Sequence, residues 1–401
     1  MLSAAPEPAW ASFGLDPTFD GDGRVITRSP TDAYRIAVSP DESILALERT
    51  SLQGFRLIRY LGDGSRDSTY ADNGVADVAL ADVCPGCWEM DTLAIALQTD
   101  GKALVGGTVT EAKGSFANEL GFVTRFDTNG DIDTSFGNAG SAFADLCPRP
   151  DISWITAIAV LPTGDIVAAG TGGSAVALAR FSDTGVLDPT FGESGVARPT
   201  LMNGWTQVGD LLVRSDDKLV VAGTHLDKAF FLARLQPDGS ADTSFAGSGV
   251  VTTTFGHRRA YADATDVALQ PDGKFVVVGS KGGTMTLVRY RALGTLDVMF
   301  GDAGKIRTRL RAEQASGAGL TLRPSGRILV GGSRLAKRRT FFVAAYGPHG
   351  HLDHSFGSKG IVTTGFGRPA YASTAMAAPG DKFVIAGGNW KHILMARYLL
   401  S

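Results

Sequence analysis

The chain is divided into short apolar stretches, each bounded by glycine, proline, aspartate or asparagine. In the fifth of several similar periods these stretches are residues 265–270 (TDVALQ), 274–279 (KFVVVG), 284–290 (TMTLVRY) and 305–310 (KIRTRL). Apolar runs of this length between turn residues predict β-strands. The first two are joined by Pro271-Asp272-Gly273, which suits a tight hairpin. No apolar positions recur at the helical spacing of about 3.6 residues, so a helical solenoid is excluded.

A five-residue phrase with the pattern Leu-Asp-x-x-Phe recurs seven times with small variations, and a glycine follows its aromatic residue by four positions. The copies occupy residues 15–19, 66–70, 132–136, 187–191, 241–245, 296–300 and 352–356. Their aspartates are Asp16, Asp67, Asp133, Asp188, Asp242, Asp297 and Asp353. Successive aspartates are 51 to 66 residues apart, so the chain contains seven periods.

Seven periods of four short strands predict an all-β fold, a seven-bladed β-propeller with four-stranded blades. The chain begins with the phrase and outer strand of a blade and ends just after a third strand. We therefore expect residues 24–28 to join the C-terminal blade and close the ring, which covers otherwise open sheet edges. Residues 1–14 are then an N-terminal tail, and residues 15–401 form a single propeller.

The recurring phrase, the hairpin turn, a Val-x-x-Gly segment and an Arg-Tyr or Arg-Phe pair together resemble the bacterial delta-60 repeat family of β-propellers. The resemblance covers nearly all of the chain. It implies a fold and, for many members, export to the envelope or exterior, but no reaction. Two blades depart from the pattern: Leu47-Glu48 replaces the glycine pair seen at Gly106-Gly107, and Ala345 replaces the arginine.

The repeated arginine and aspartate are close in sequence around one hairpin. We expect a partly buried ion pair in each blade, such as Arg289 with Asp297, with a structural role. The alternative is that each aspartate caps a turn by accepting backbone N–H groups. Seven equivalent carboxylates are not an active site.

The glycine content and the distribution of charge add to this prediction. Glycine accounts for 51 of the 401 residues, which agrees with many tight turns. The net charge of -3 gives no reason to expect nucleic-acid binding by the whole molecule. It also conceals an asymmetry, because residues 1–200 hold 13 basic and 27 acidic residues, whereas residues 201–401 hold 25 and 14. Sequence order is angular order in a ring, so one side is expected to be acidic and the other basic.

The connections from the fourth to the first strand and from the second to the third strand share one face of a propeller, and the sequence is least repetitive there. Most of the large aromatic residues outside the repeats fall on it: Trp88, Trp154, Trp205, Trp390, Tyr34, Tyr261 and Tyr371. Such residues can stack on sugar faces or anchor a protein. The alternative is that they fill contacts between blades.

Basic residues also fall on the connections of this face. Those we single out are Arg258, Arg259, Arg334, Arg338 and Arg339. A polyanion, an acidic polysaccharide or an acidic protein surface would suit them. The alternative is a solvated loop without a partner.

The three cysteines lie on two neighbouring connections. A bridge between Cys147 and either Cys84 or Cys87 would suit an oxidising compartment. The alternatives are free thiols or a redox pair, although a redox Cys-x-x-Cys normally begins a helix and this context supplies none. The sequence offers no nearby fourth ligand for zinc.

His349, His351 and His354 could gather around a transition metal, but an exposed polar turn is the alternative. No nucleotide, metalloprotease or nucleophile-elbow motif is present, so we expect no cofactor. No apolar run approaches the roughly 18 residues of a membrane span.

These features favour a non-catalytic binding platform that recognises a protein or polysaccharide through its variable loop face. The basic side would suit an anionic partner. A glycan hydrolase or lyase with its site in the central funnel is the alternative, and inner-strand groups such as Asp210, Asp266 and Thr156 would face the axis. Two converging carboxylates would distinguish it. The first residues lack the features of a signal peptide; we expect a secreted, periplasmic or cell-surface protein whose signal is absent from this chain, or a cytosolic one.

Overall fold

A computed structural model describes residues 14–29, 31, 33–113, 116–147, 152–256 and 260–400. The strands that precede the first blade are β1 (Gly14–Leu15) and β2 (Arg24–Arg28). Blade 1 comprises β3 (Ala33–Val38), β4 (Ile44–Ser51), β5 (Gly54–Tyr60) and β6 (Val75–Ala79), and a short helix α1 (Leu80–Val83) follows it. Blade 2 comprises β7 (Cys87–Leu97), β8 (Ala103–Lys113), β9 (Phe116–Phe126) and β10 (Ser141–Ala144).

The remaining blades have the same four-strand plan. Blade 3 comprises β11 (Ser153–Val160), β12 (Ile166–Gly172), β13 (Ala175–Phe181) and β14 (Val196–Ala197). Blade 4 comprises β15 (Thr206–Val213), β16 (Leu219–His225), β17 (Ala229–Leu235) and β18 (Val250–Thr254). Blade 5 comprises β19 (Ala262–Leu269), β20 (Phe275–Lys281), β21 (Thr284–Tyr290) and β22 (Lys305–Thr308). Blade 6 comprises β23 (Gln314–Leu322), β24 (Ile328–Leu335), β25 (Arg339–Tyr346) and β26 (Ile361–Thr364), and blade 7 begins with β27 (Tyr371–Ala378), β28 (Lys382–Gly388) and β29 (His392–Leu399).

The blades are antiparallel sheets arranged as a seven-bladed propeller, as the sequence predicts. The N-terminal strand closes the ring: β2 pairs with β29 from Arg24 opposite Ala396 to Arg28 opposite His392. The two-residue strand β1 extends the same edge of β29. Blade 7 is therefore built from both ends of the chain, and the predicted closure is confirmed.

The repeated phrase forms the same turn in every blade. The N–H of the trailing glycine donates to the carbonyl of the aromatic residue, as from Gly140 to Phe136 at 2.8 Å. This glycine has a φ of +100° in blade 2, and a Cβ added to it would lie 2.1 Å from Cγ2 of Ile132. Only glycine adopts this backbone without strain, which explains its recurrence.

The repeated aspartate has both predicted roles, one on each carboxylate oxygen. In blade 4, Oδ1 of Asp242 accepts the N–H and hydroxyl of Ser244 at 3.1 and 2.6 Å. Its Oδ2 accepts from Nε of Arg234 at 2.6 Å and lies 2.8 Å from Nζ of Lys218. The ion pair and the turn cap thus coexist, and the hydrogen bonds of Lys218, Ser244 and Arg234 outweigh burial and lower the pKa of Asp242.

Each of these arginines also links its blade to the next one. Nη1 of Arg234 donates to the carbonyl of Ala292 in blade 5 at 2.8 Å, and the guanidinium lies over the ring of Phe245 with 4.9 Å to the centroid. Equivalent ion pairs join Arg59 to Asp67, Arg125 to Asp133, Arg180 to Asp188, Arg289 to Asp297 and Arg397 to Asp16. The repeat therefore encodes contacts between blades as well as within them.

Blade 6 retains the ion pair although its arginine is replaced by Ala345. Nη2 of Arg327 lies 2.6 Å from Oδ2 of Asp353. Arg327 occupies the position after the hairpin turn at which blade 4 has Lys218. The compensating cation therefore comes from the neighbouring strand.

The Val-x-x-Gly glycine accommodates a bulge in the inner strand. In blade 3 the register shifts between Ile155 and Ala157, and a Cβ on Gly170 would lie 1.6 Å from the carbonyl oxygen of Trp154. Blade 1 has Glu48 at this position, where the side chain is buried and its Oε1 accepts from the Thr31 hydroxyl at 2.7 Å. Burial raises the pKa of this carboxyl. The replacement of the repeat glycine by Glu48 thus places an ionisable group in the core of blade 1.

The hydrophobic core lies between neighbouring sheets. One cluster joins Leu47 and Phe55 of blade 1 to Val105 and Phe122 of blade 2, and similar clusters join other neighbouring blades. Because each sheet is covered on both faces, its strands are apolar on both sides. This packing makes the ring a rigid support for its connecting loops.

The cysteine pairing differs from the expected bridge to the neighbouring connection. Cys84 is bonded to Cys87, whereas Cys147 is a free, half-buried thiol. The Cys84 N–H donates to the carbonyl of Leu80, so the pair follows the short helix α1 rather than beginning one. The disulfide thus joins two cysteines of one connection that are three residues apart, and it does not join the connections of two neighbouring blades. In the part of the chain that the structure describes, no helix is long and apolar enough to cross a bilayer.

Candidate binding face and central channel

The loop face is the end of the ring at which the inner strands begin and the second strands end. Every inner strand starts there, so the connections from each blade to the next gather around the mouth of the central channel. The opposite end, called the turn face, carries the seven repeated turns. Because the repeats leave the loop connections free to vary, the loop face is where a binding specificity can be placed.

Four of the aromatic residues singled out from the sequence are exposed on the loop face. Their exposed fractions are 53% for Trp88, 70% for Tyr261, 39% for Tyr371 and 71% for Trp390. Large aromatic side chains normally bury most of their surface. These four therefore do not serve mainly as contacts between blades, which was the alternative interpretation.

Trp154 and Trp205 behave differently and support that alternative. Both are half-buried, and their rings meet edge to face with centroids 5.9 Å apart. They belong to the start of β11 and to the residue before β15, so the contact joins blades 3 and 4. Trp154 also lines the channel mouth.

Trp390 lies in the connection between β28 and β29 with a φ of +67°. A bulky residue in this region of backbone space is strained. The fold thus holds a tryptophan in an unfavourable backbone conformation while 71% of its surface is exposed. This combination favours a role in binding.

The predicted basic residues divide into three groups. Arg338 is exposed and Arg339 is half-buried, with its guanidinium over the Tyr371 ring, 4.5 Å from the centroid. Arg334 lies within β24 rather than on the connecting loop. Its Nη1 donates to the carbonyl of Leu310 at 2.6 Å and so holds the connection between β22 and β23. Arg258 and Arg259 lie outside the described residues, as does the side chain of Tyr34.

Three cations that were not assigned to the site from the sequence lie around His392, and ring closure contributes one of them, Arg28. Arg28 at the end of β2 pairs with His392 at the start of β29, and Lys391 precedes it. Nη1 of Arg368 lies 2.6 Å from Nε2 of His392. The signal was available in the predicted pairing of residues 24–28 with the last blade, which brings Arg28 to the loop face.

The three histidines proposed as metal ligands do not form a site. His349, His351 and His354 are all exposed around a turn on the turn face of blade 6. Nowhere in the described ranges do three or more His, Cys, Asp or Glu side chains converge in an arrangement suited to a metal ion. The exposed polar turn is the interpretation that the structure supports.

The central channel is lined by all seven inner strands. Two adjoining cavities of about 230 and 470 Å³ lie along it. The larger cavity is at the loop-face end, next to Trp154 and Asp263. The smaller one is deeper and is lined by Arg35, Asp210 and Asp266 among others.

Asp210 and Asp266 occupy equivalent positions, immediately after the bulges of β15 and β19. Oδ2 of Asp210 accepts the N–H of Val267 at 3.1 Å, and Oδ2 of Asp266 accepts the N–H of Leu320 at 2.6 Å. Each carboxyl thus bonds to the next blade, and the two lie within hydrogen-bond reach of one another. Burial raises both pKa values, and the charge of Asp210 raises that of Asp266 further.

Arg35 provides positive charge in the same channel. Its Nη1 donates to the carbonyl of Ser373 at 3.1 Å. Burial raises the pKa of Asp263, whereas the charge of Arg35 lowers it and that of Asp227 raises it. The channel therefore holds charges that compensate one another, with two carboxyls that favour sharing a proton.

Asp266→Asn should make the protein less sensitive to rising pH. The carboxyl pair has a raised pKa in the folded state, so its stabilising effect is complete below the unfolded pKa of about 3.9 and is lost as pH rises through the folded pKa. Asparagine can donate to Asp210 and accept from Leu320 at every pH. The melting temperature of the variant relative to the parent protein should therefore increase from pH 4 to pH 8.

Asp210→Asn is the reciprocal test, because its amide can donate to Asp266 and its oxygen can accept from Val267. We expect the same relative increase. Melting curves of both variants that run parallel to that of the parent across this pH range would show that the pair does not share a proton.

Several solved structures are similar to this chain over most of its length at low sequence identity. A glucose dehydrogenase is 13% identical, with 93% of this chain and 98% of that chain covered and a TM-score of 0.41. An alpha-L-arabinofuranosidase from Fusarium graminearum is 13% identical, with 97% and 96% covered and a TM-score of 0.47. A protein from Lactobacillus plantarum is 13% identical, with 90% and 88% covered and a TM-score of 0.48.

No curated protein sequence matches the chain. Three of its segments, residues 98–136, 161–191 and 214–245, match a family described as a "Domain of unknown function (DUF5122) beta-propeller". Each segment runs from the turn of the first hairpin to the aromatic residue of the repeated phrase in blades 2, 3 and 4. The repeats of this chain are therefore similar to those of the DUF5122 β-propellers.

Proposed function

We propose that this protein is a non-catalytic binding platform that recognises a polysaccharide or protein partner through the loop face. The observation that carries the proposal is the exposure of four large aromatic side chains on that face, with Trp390 and Tyr261 at 71% and 70%. Exposed aromatic rings on a rigid support are suited to stacking on sugars or anchoring a protein.

The channel gives weaker support to the alternative, a glycan hydrolase or lyase. Glycosidases normally hold their two carboxyls about 5 to 9.5 Å apart, on either side of the bond to be cleaved. Asp210 and Asp266 instead lie within hydrogen-bond reach of one another, and each accepts a backbone N–H of the next blade. This arrangement suits a joint between blades better than an acid and a base acting on a substrate.

Membership of the delta-60 repeat group and a location outside the cytoplasm belong to the same proposal. The Cys84–Cys87 disulfide is compatible with an oxidising compartment. A propeller with a disulfide-bonded connection and an exposed aromatic face would suit a protein of the cell envelope or exterior.

The proposal is tested by the double variant Trp390→Ala/Tyr261→Ala. We expect it to lose at least about tenfold in affinity for the partner that a screen of neutral and acidic glycans and an envelope extract identifies, because stacking at two anchors is removed. Reducing-sugar release is followed in the same samples, and release by the parent protein would favour the hydrolase.

Met299→Ala is the matched control. Met299 is 71% exposed but lies in the repeated turn of blade 5, on the turn face. Its affinity should equal that of the parent protein. An equal loss in the control and the double variant, with unchanged melting temperatures, would contradict the assignment of the loop face.

A further inference from the structure

Cations are concentrated on the loop face where blades 6 and 7 meet. We call this group the basic patch; it consists of Arg28, Lys337, Arg338, Arg339, Arg368 and Lys391. Arg28, Lys337, Arg338 and Lys391 are exposed. The pairing of β2 with β29 adds Arg28 to the cations of blades 6 and 7.

The cations of the basic patch lack acidic partners among the residues that the structure describes. Arg338 donates to the carbonyl of Gly367 at 3.1 Å, and Arg339 donates to Oε1 of Gln314 at 3.2 Å. Glu313 brings an exposed carboxylate near the patch, because its N–H donates to the carbonyl of Leu335 at 2.8 Å. Positive charge is thus in excess on this part of the face.

On the turn face of blade 7, by contrast, the cations have acidic partners. Arg24 lies 2.5 Å from Asp22, and Lys382 lies 2.5 Å from Glu42. Cations there are neutralised by neighbouring carboxylates. The excess of positive charge is therefore found at the loop-face end of blade 7 and not at its turn-face end.

His392 reports the local potential at the centre of the patch. Burial lowers its pKa, and the charges of Arg368, Arg28 and Lys391 lower it further. Three cations thus act on one imidazole from three different segments. A site that repels a proton in this way attracts an anion.

Two exposed aromatic rings adjoin these cations. The guanidinium of Arg339 lies over the ring of Tyr371, and Trp390 precedes Lys391 in the chain. Large rings interleaved with cations provide stacking surfaces next to anion-binding groups.

We propose that the basic patch binds a linear polysaccharide bearing carboxylate groups, with its cations on the carboxylates and Trp390 and Tyr371 stacked on sugar rings. This inference rests on the proposed function and names the ligand class of that face. An acidic protein surface fits less well, because protein interfaces need a desolvated apolar centre. Here each ring adjoins a cation, Arg339 at Tyr371 and Lys391 after Trp390, so stacking and charge recognition can act together on one extended chain.

The test measures binding of polygalacturonate to the whole protein at low and moderate salt. Arg338→Glu and Lys391→Glu should each weaken binding at least about tenfold at low salt, because an attraction is replaced by a repulsion. Added salt should weaken binding by the parent protein more steeply than by either variant. Lys359→Glu is the matched control: Lys359 is exposed on the turn face of blade 6, and its reversal should leave affinity unchanged.

A second measurement locates the ligand. The imidazole resonance of His392, assigned with His392→Gln, should titrate at higher pH when polygalacturonate is bound, because the polyanion neutralises the three neighbouring cations. An unchanged His392 titration under saturating ligand would overturn the assignment of the patch. A matching loss in Lys359→Glu would do the same.

Polyglutamate separates the ligand classes. Trp390→Ala should weaken binding of polygalacturonate but not of polyglutamate, because only sugar rings stack on the indole. Tighter binding of polyglutamate than of polygalacturonate would favour an acidic protein surface and overturn the proposal. If Arg338→Glu retains the partner captured from envelope extract while Trp390→Ala/Tyr261→Ala loses it, the platform function stands and the carboxylated ligand is wrong.

Discussion

Deletion of residues 1–28 should open the ring and lower the melting temperature sharply. The deletion removes β1 and β2, the pairing of β2 with β29, and the fully buried ring of Phe19. It also removes Asp16, the partner of the buried Arg397. Loss of one partner of a buried ion pair costs about 3–5 kcal/mol, and each large buried side chain contributes about 1.5–3 kcal/mol.

Those losses together approach the whole free energy of unfolding of an ordinary domain, roughly 5–15 kcal/mol. The truncated protein should also expose the edge of β29 and form aggregates or dimers. Deletion of residues 1–13 is the control, because it keeps both closing strands and every described contact of Asp16. Thermal unfolding and size-exclusion chromatography measure both effects, and a similar melting temperature for the two truncations would refute closure by β2.

The ring could be predicted from the sequence because the repeat encodes contacts of defined geometry. The trailing glycine is required by a left-handed backbone, and the aspartate has one oxygen for the turn and one for the ion pair. These requirements recur in every blade, so the phrase identifies each period. The place of the chain termini within a period then predicts the closing strand.

The site was harder to predict because it depends on contacts between periods. Asp210 and Asp266 are polar residues in separate inner strands, and the sequence alone does not show that their carboxyls meet. The cysteines show the converse: pairing through neighbouring connections was expected, but the nearest residues in sequence, Cys84 and Cys87, are bonded.

Blade 1 shows how a departure from the repeat can acquire a meaning. Glu48 was visible as an irregularity where other blades have glycine. Only the packing shows that it is buried, with Oε1 bonded to Thr31 and Oε2 lying 3.9 Å from Nη1 of Arg56. Positions that depart from the repeat can therefore carry side chains with a role of their own, as the connections of the loop face do.

Arg397→Ala should destabilise the protein by about 3–5 kcal/mol, the cost of removing one partner of a buried ion pair. Arg397 is 1% exposed. Its Nε donates to Asp16 at 2.7 Å, its Nη2 donates to the Thr18 hydroxyl at 3.1 Å, and its guanidinium lies over the Phe19 ring. Denaturant unfolding measures the change in the free energy of unfolding.

Arg59→Ala is the matched control, because Arg59 has the same position in blade 1 but a different environment. Its side chain is 24% exposed, and its Nε lies 3.4 Å from Oδ2 of Asp67. Ion pairs contribute less as they become longer and more accessible to water, so this variant should lose less stability than Arg397→Ala. Equal losses of unfolding free energy in the two variants would show that both arginines stabilise their blades mainly through backbone and ring contacts that the two sites share. Burial of the Arg397–Asp16 pair would then not be the deciding factor.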